Sequence, residues 1–328
     1  MFLLIASLTL LMGIAVGWSI GANDAANSLG TAVGSRVLTL RQAIILIVIF
    51  GFLGAFLQGS YVIKTIGKGI VPLDKLGRDL SFYVALVAAF SACAWVVLAT
   101  YWKMPISTSH SIVGAVAGAG LAVHAPIVWK KLLDIFICWV FTPLGAALLG
   151  YIFYRIFKSI FYRFMPRKFV RFILSSLIIL SGCYVAYTWG ANDVANAVGV
   201  IAGTGVISVR DGILLGGLAI ILGIITWGYK VIQTIGSEIT NLLPIMAFSA
   251  QLASAINVHF YTILGIPVST SHSIVGAIFG VGLVRGVRVV NLKIMREIVI
   301  CWLLTPLISG IISFIMLKLM IFFLKTGG

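Results

Sequence analysis

Long apolar runs separated by short polar gaps set the plan of this chain. Runs fall near 2–33, 42–63, 81–101, 105–123 and 127–157, and a second set near 170–205, 212–229, 241–263, 267–284 and 294–324. A helix of about 20 apolar residues crosses the hydrocarbon core of a bilayer, so each run reads as a membrane helix. The first and last run of each set exceed what one crossing needs; ten crossings is therefore the minimum and twelve is allowed. Between the sets lies the strongest basic cluster of the chain, Arg155, Lys158, Arg163, Arg167, Lys168 and Arg171. The expected organisation is a first transmembrane repeat over 1–158, a basic cytoplasmic junction over 159–171 and a second repeat over 172–328.

The polar residues inside the runs are not scattered. Gly21-Ala22-Asn23-Asp24-Ala25-Ala26-Asn27 returns as Gly190-Ala191-Asn192-Asp193-Val194-Ala195-Asn196. Pro105-Ile106-Ser107-Thr108-Ser109-His110 returns as Pro267-Val268-Ser269-Thr270-Ser271-His272. Two fainter echoes keep the same order, 63–67 with 232–236, and Cys138-Trp139 with Thr142-Pro143 against Cys301-Trp302 with Thr305-Pro306. Five runs per half is an odd number, so a second copy must enter the membrane upside down.

Charge gives the orientation. With the N-terminus outside, the cytoplasmic gaps collect Arg36, Arg41, Lys103, the junction, Lys230, Arg285, Arg288, Lys293 and Arg296, 14 of the 23 basic residues. The gap with Lys64, Lys68, Lys75 and Arg78 runs against this, although Asp74 and Asp79 share it. Both termini are expected outside the cell (inner) membrane. The N-terminal run lacks a basic leader region and reads as a retained first helix.

Composition sharpens the class. Hydrophobic residues are 61% of the chain and charged residues 9%, against roughly 25% charged in a soluble domain. The result is an all-α polytopic membrane protein with interrupted helices and lipid as its main partner. The net charge of +15 arises from a shortage of acids, eight against 23 Lys and Arg, and carries no pattern for nucleic acid. Cys93, Cys138, Cys183 and Cys301 have no metal or disulfide spacing and read as packing residues.

A carboxylate at membrane depth is costly unless it serves a site. On a helix, Asp24 and Asn27 lie on neighbouring positions of one face, as do Asn23 and Asn27. Gly17, Gly21, Gly30 and Gly34 either let this helix unwind and free carbonyls or form a small-residue packing face. One carboxylate, amide oxygens and freed carbonyls suit a small hard cation such as Na⁺. Asn23, Asp24, Asn27, Asn192, Asp193 and Asn196 are the candidate ligands. In the second signature a proline suits a helix start, and Ser107, Thr108 and Ser109 fall in the first turn. Free N–H groups, the positive helix end and hydroxyl donors make an anion site, repeated at Ser269, Thr270 and Ser271. Two such starts approaching from opposite leaflets would clamp one anion at the midplane. His110 and His272 are open to two readings, proton coupling or donation to a nearby carbonyl. Gln58, Thr65, Thr226, Thr234 and Gln251 are weaker lining candidates that packing hydrogen bonds would equally explain.

With no Lys or Arg inside either signature, an anion there needs bound cations as counter-charge, which makes the two affinities mutually dependent. The pattern is that of a secondary transporter. A channel or a membrane enzyme fits less well, since the duplicated copies are equivalent and no orienting third group accompanies the Ser-His pairs.

At these residues the chain resembles the inorganic phosphate transporter family of sodium/phosphate symporters and their proton-coupled bacterial relatives. The resemblance covers essentially the whole chain. It implies uptake of inorganic phosphate with Na⁺ by alternating access, no cofactor, an inverted-repeat fold and extracellular termini. It assigns the Asn-Asp-Asn residues to ions and the Ser-Thr-Ser residues to phosphate. Proton-coupled phosphate or sulfate transport is the alternative. Animal members carry glutamate where this chain has Gly51 and Gln251, and a long cytoplasmic insertion where it has the short junction; stoichiometry does not transfer. The oligomeric state stays open, with a homodimer as one candidate.

Overall fold

The computed structural model describes residues 2–34, 36–102, 106–164, 166–229, 243–284 and 292–326. Lys103, Pro105, Lys230, Arg285, Arg288 and the echo at 232–236, with Thr234, lie outside the described residues. The rest is helical: α1 (Phe2–Asp24), α2 (Ala26–Gly34), α3 (Leu40–Lys64), α4 (Arg78–Tyr101), α5 (Thr108–Ala122), α6 (Trp129–Phe164), α7 (Arg167–Gly203), α8 (Val209–Gly223), α9 (Pro244–Ile263), α10 (Thr270–Leu283) and α11 (Leu292–Thr326). Helix follows from the solvent: in lipid a backbone must satisfy its own polar groups. Seven of the described spans are long and apolar enough to cross a membrane, among them Leu3–Gly34, Leu40–Gly69 and Arg296–Thr326. Exposed leucines and phenylalanines along α6 and α11, such as Leu144, Leu148, Leu303 and Leu307, are the lipid-facing counterpart of that composition.

Two helices depart from the expected runs in a useful way. α5 and α10 have 15 and 14 residues, about 22 Å of helix, which is less than the hydrocarbon thickness. Their starts also fall later than proline alone would place them. Ser107 and Ser269 are the N-caps, each hydroxyl accepting from the backbone N–H three residues on, His110 and His272. Serine in extended backbone holds an orphan N–H that proline cannot, so the cap defines the start.

Every main packing pair has a mate with the halves exchanged. α3 packs on α7 as α8 packs on α1; α5 packs on α11 as α10 packs on α6; α4 packs on α1 as α9 packs on α7. Most of these seams join one half to the other, so neither half is an independent unit. Glycine makes them close. A Cβ at Gly114 would stand 2.2 Å from the Pro306 carbonyl oxygen, and one at Gly276 would stand 2.3 Å from that of Pro143. The glycines of the first signature act likewise: a Cβ at Gly21 would lie 2.0 Å from Ile220 O, and one at Gly190 1.9 Å from Gly51 O. Of the two readings offered for Gly17 and Gly21, close packing is the one realised. The helix is interrupted only in the first copy, where Ala25 separates α1 from α2; α7 runs unbroken through Asn192 and Asp193.

Between the halves α6 ends at Phe164 and α7 begins at Arg167, so the chain turns inside the basic junction.

Candidate functional site

Asp24 closes α1 and Asp193 lies in mid-α7, and both side chains are about 1% exposed. Each is met by a half-helix start of its own repeat. Thr108 Oγ1 donates to Asp24 Oδ2 at 2.9 Å, and Thr270 Oγ1 donates to Asp193 Oδ2 at 3.2 Å. The next serine then crosses to the other repeat. Ser271 Oγ donates to Asp24 Oδ1 at 3.2 Å and accepts from Asn27 Nδ2 at 2.7 Å. Ser109 Oγ accepts from Asn196 Nδ2 at 2.9 Å and donates to the Val268 carbonyl at 2.9 Å. Asn27 and Asn196 also donate to the carboxylates of their own motifs, at 3.4 and 3.1 Å. Residues far apart in sequence thus form one buried cluster: two Asp-Asn pairs, two threonines and two crossing serines.

The six predicted hydroxyls divide into three roles. Ser107 and Ser269 cap their helices, Thr108 and Thr270 hold the acids, and Ser109 and Ser271 bridge the repeats. Spacing alone could not separate these roles, because all three residues of each run are polar and within one turn.

Asn23 and Asn192 stand apart from the cluster. Asn23 Nδ2 donates to Thr100 Oγ1 at 2.6 Å, and Asn192 Nδ2 donates to Thr262 Oγ1 at 3.0 Å. Asn192 Oδ1 also accepts from Val268 N, and its amide reaches the Ile266 carbonyl. Both side chains tie the signature helix to the helix preceding the half-helix, and Asn192 also holds the turn at Ile266 and Val268 that leads into Ser269. The threonines at 100 and 262 were missed in the sequence; their equivalent positions before the two Ser-Thr-Ser runs were the available signal.

An acceptor waits in the cluster. Asn196 Nδ2 faces a carboxylate and so must be the nitrogen, which leaves Oδ1 as a buried acceptor without a donor among the described residues. A buried amide oxygen beside a carboxylate is what an oxygen-liking cation takes. The weaker candidates serve packing. Thr65 Oγ1 donates to the Gly265 carbonyl, Thr226 Oγ1 donates to Leu222 O, Gln251 joins Ser181, Ser28 and Thr31, and Gln58 meets His259.

Comparison with known proteins gives the family. The model of the phosphate transporter family matches residues 20–313. A protein of Pyrococcus furiosus named "putative phosphate permease" is 32% identical, with 95% of each chain covered. The chloroplastic inorganic phosphate transporter 2-1 of Arabidopsis thaliana is 29% identical over 92% of this chain and 70% of its own. A solved structure, that of the sodium-dependent phosphate transporter, superposes with a TM-score of 0.89 at 30% identity, covering 97% of this chain and 99% of the other. With residues 20–313 matched and both doubled signatures meeting in one buried cluster, this multi-pass membrane protein belongs to the phosphate transporter family, whose members transport rather than catalyse.

Proposed function

We propose that the chain is a symporter that carries inorganic phosphate with Na⁺ into the cell by alternating access at the cluster between its repeats. The observation that carries this reading is the dual use of the hydroxyls. A Ser or Thr hydroxyl has one hydrogen to give, and those of Thr108, Ser271 and Thr270 now go to Asp24 and Asp193. A phosphate seated on the two half-helix starts needs those same hydrogens, beside the free N–H groups of each first turn. Cations on the carboxylates would release them. Sodium binding at Asp24 with Asn27, and at Asp193 with Asn196, therefore turns anion donors toward the phosphate and offsets its charge. Two unit charges about 4 Å apart repel by roughly 4 kcal/mol at an effective dielectric of 20, so the anion needs the cations. Coupling is then a property of shared hydrogen bonds as well as of charge.

The inverted arrangement is part of this reading. α5 and α10 touch at their starts, His110 ring to His272 ring at 4.4 Å, yet do not pack along each other. Helices that meet only at their N-termini and then diverge fit an approach from opposite leaflets, with both termini of the chain outside and the basic junction in the cytoplasm of an inner-membrane protein. The sodium-dependent transporter that superposes on the chain favours Na⁺ over H⁺ as the coupling ion. Uptake of labelled phosphate into proteoliposomes tests the proposal: it should saturate, and it should vanish when the sodium gradient is collapsed.

A further inference from the structure

The cluster leaves unused the histidine that ends each Ser-Thr-Ser-His run and the Cys-Trp-x-x-Thr-Pro echo on α6 and α11. The structure joins them. Proline has no N–H, so Pro143 and Pro306 free the carbonyls four residues earlier, those of Trp139 and Trp302. The threonine before each proline turns its hydroxyl one residue further back, Thr142 to Cys138 O at 2.6 Å and Thr305 to Cys301 O at 2.7 Å. The tryptophan carbonyls are thus left for an outside donor.

His110 takes one of them. Its Nδ1 lies 3.2 Å from the Trp302 carbonyl oxygen, and a carbonyl only accepts, so Nδ1 carries the hydrogen. The bond crosses from the first repeat to the second and fixes the start of α5 to α11, one residue from the bridging Ser109. The ring also stacks on Trp139 at 3.6 Å, while His272 stacks on Trp302 at 3.6 Å. The two stacked pairs, Trp139 with His110 and His272 with Trp302, meet edge to face at the histidines, 4.4 Å apart and 75° to one another, and form one buried ring cluster.

The pseudo-symmetry breaks at the second histidine. His272 lies against the Trp139 carbonyl in a looser contact: by the distance and angle that the His110 bond meets, neither of its buried ring nitrogens has a partner among the described residues. The cluster is lopsided in the same sense. On the side of the closed His110 bond, Ser109 holds Asn196, which is 1% exposed, and Asn192 is wholly buried. On the side of the open His272, Ser271 holds Asn27, and Asn27 and Asn23 are only half-buried.

We propose that His110 and His272 are reciprocal positioning residues: each anchors its half-helix to the carbonyl that a proline has freed in the opposite repeat, and one anchor opens as the other closes. The inference rests on the alternating-access reading and names the contact that changes hands. With His110 anchored, the Asn192 side is shut and the Asn23 side is the more open. Anchoring His272 gives the mirror state.

The test reads accessibility without transport. Ser19 and Thr188 are equivalent positions, one helical turn before Asn23 and Asn192, and each is about 1% exposed. Single cysteines there, in a chain whose four free cysteines are replaced by alanine, are labelled in detergent with a soluble maleimide. His110→Phe keeps the ring stack and removes the donor. It should raise the labelling rate at Thr188→Cys and lower it at Ser19→Cys by about three- to tenfold, the effect of one buried hydrogen bond on a two-state balance. His272→Phe should do the opposite or leave the distribution at its present limit. His110→Asn, which restores an N–H donor, should recover the wild-type pattern. Changes of the same sign at both cysteines, or no change with His110→Phe, would overturn the anchor exchange. Normal phosphate uptake alongside either result would leave the transport reading standing, whereas failure of the wild-type chain to take up phosphate would defeat that reading; the labelling pattern decides the anchor exchange separately.

Discussion

The two bridging serines offer the sharpest perturbation. Ser109 and Ser271 are the hydroxyls that reach from each half-helix start to the signature helix of the other repeat, at 2.9 Å to Asn196 and 2.7 Å to Asn27. Alanine at either position removes one hydroxyl from the seat proposed for phosphate. A hydrogen bond to a charged partner is worth about 1.5–3 kcal/mol, which is roughly one to two decades in Kd. The structure adds a distinction. Asp193 keeps Thr270 and Asn196 when Ser109 is lost, and Asp24 keeps Thr108 and Asn27 when Ser271 is lost. Sodium binding measured without phosphate should therefore move by less than about threefold, a few tenths of a kcal/mol. Because both serines address one anion, the Ser109→Ala/Ser271→Ala pair should show coupling in a double-mutant cycle rather than simple addition. Titration of the purified protein with phosphate at fixed sodium, and with sodium alone, gives all four corners. Single losses below twofold would refute the assignment of these hydroxyls to phosphate. Equal losses in sodium and phosphate affinity would assign them to structure.

Other outcomes follow from the same geometry. Asp24→Asn and Asp193→Asn should each abolish sodium-driven uptake while the protein still inserts, since each removes the one charged ligand of the ion site proposed there; uptake with unchanged sodium dependence in purified variants would refute this. Gly114→Ala and Gly276→Ala place a Cβ 2.2–2.3 Å from the Pro306 and Pro143 carbonyls and should cost about 1–3 kcal/mol by overpacking, read as a lowered Tm in detergent. Gly77→Ala, with nothing within 4 Å, should leave Tm in place. Lys130 sits in the first turn of α6 and Arg296 one turn into the equivalent helix α11; in an inverted repeat, single cysteines there should label from opposite sides of intact cells with an impermeant reagent, and labelling of both from one side would rule the inversion out.

Much of this is legible in the sequence. Each of the ten apolar runs falls on a described helix, because a long apolar segment in lipid admits few alternatives, but α5 and α10 fall short of a full crossing because a serine cap sets their start. The site could be found because an acid and adjacent hydroxyls are expensive at depth and because each occurs twice. The crossing pattern was not legible. Nothing in the local sequence says that Ser109 will meet Asn196 rather than Asn27, since both asparagines close the same Gly-Ala-Asn-Asp-x-Ala-Asn signature. Asn23 looked equivalent to Asn27 by helical spacing, yet it turns to Thr100, a partner 77 residues away. The glycines were ambiguous for a similar reason: unwinding and close packing both ask for a missing side chain, and the neighbouring backbone decides between them. The sequence leaves His110 open to two roles, proton carrier or donor to a carbonyl. The freed Trp302 carbonyl resolves its bond as donation, through a proline whose consequence lies in the other repeat.

The central claim is that cations release the hydroxyls that hold phosphate, and it meets its most direct test in gradient-resolved uptake. Purified protein in liposomes is given labelled phosphate with an inward gradient of Na⁺, K⁺ or H⁺ imposed separately at matched membrane potential. The account predicts concentrative, saturable uptake with the sodium gradient, only equilibration with potassium, and none driven by protons alone. Equal uptake under a proton gradient in sodium-free medium would contradict it.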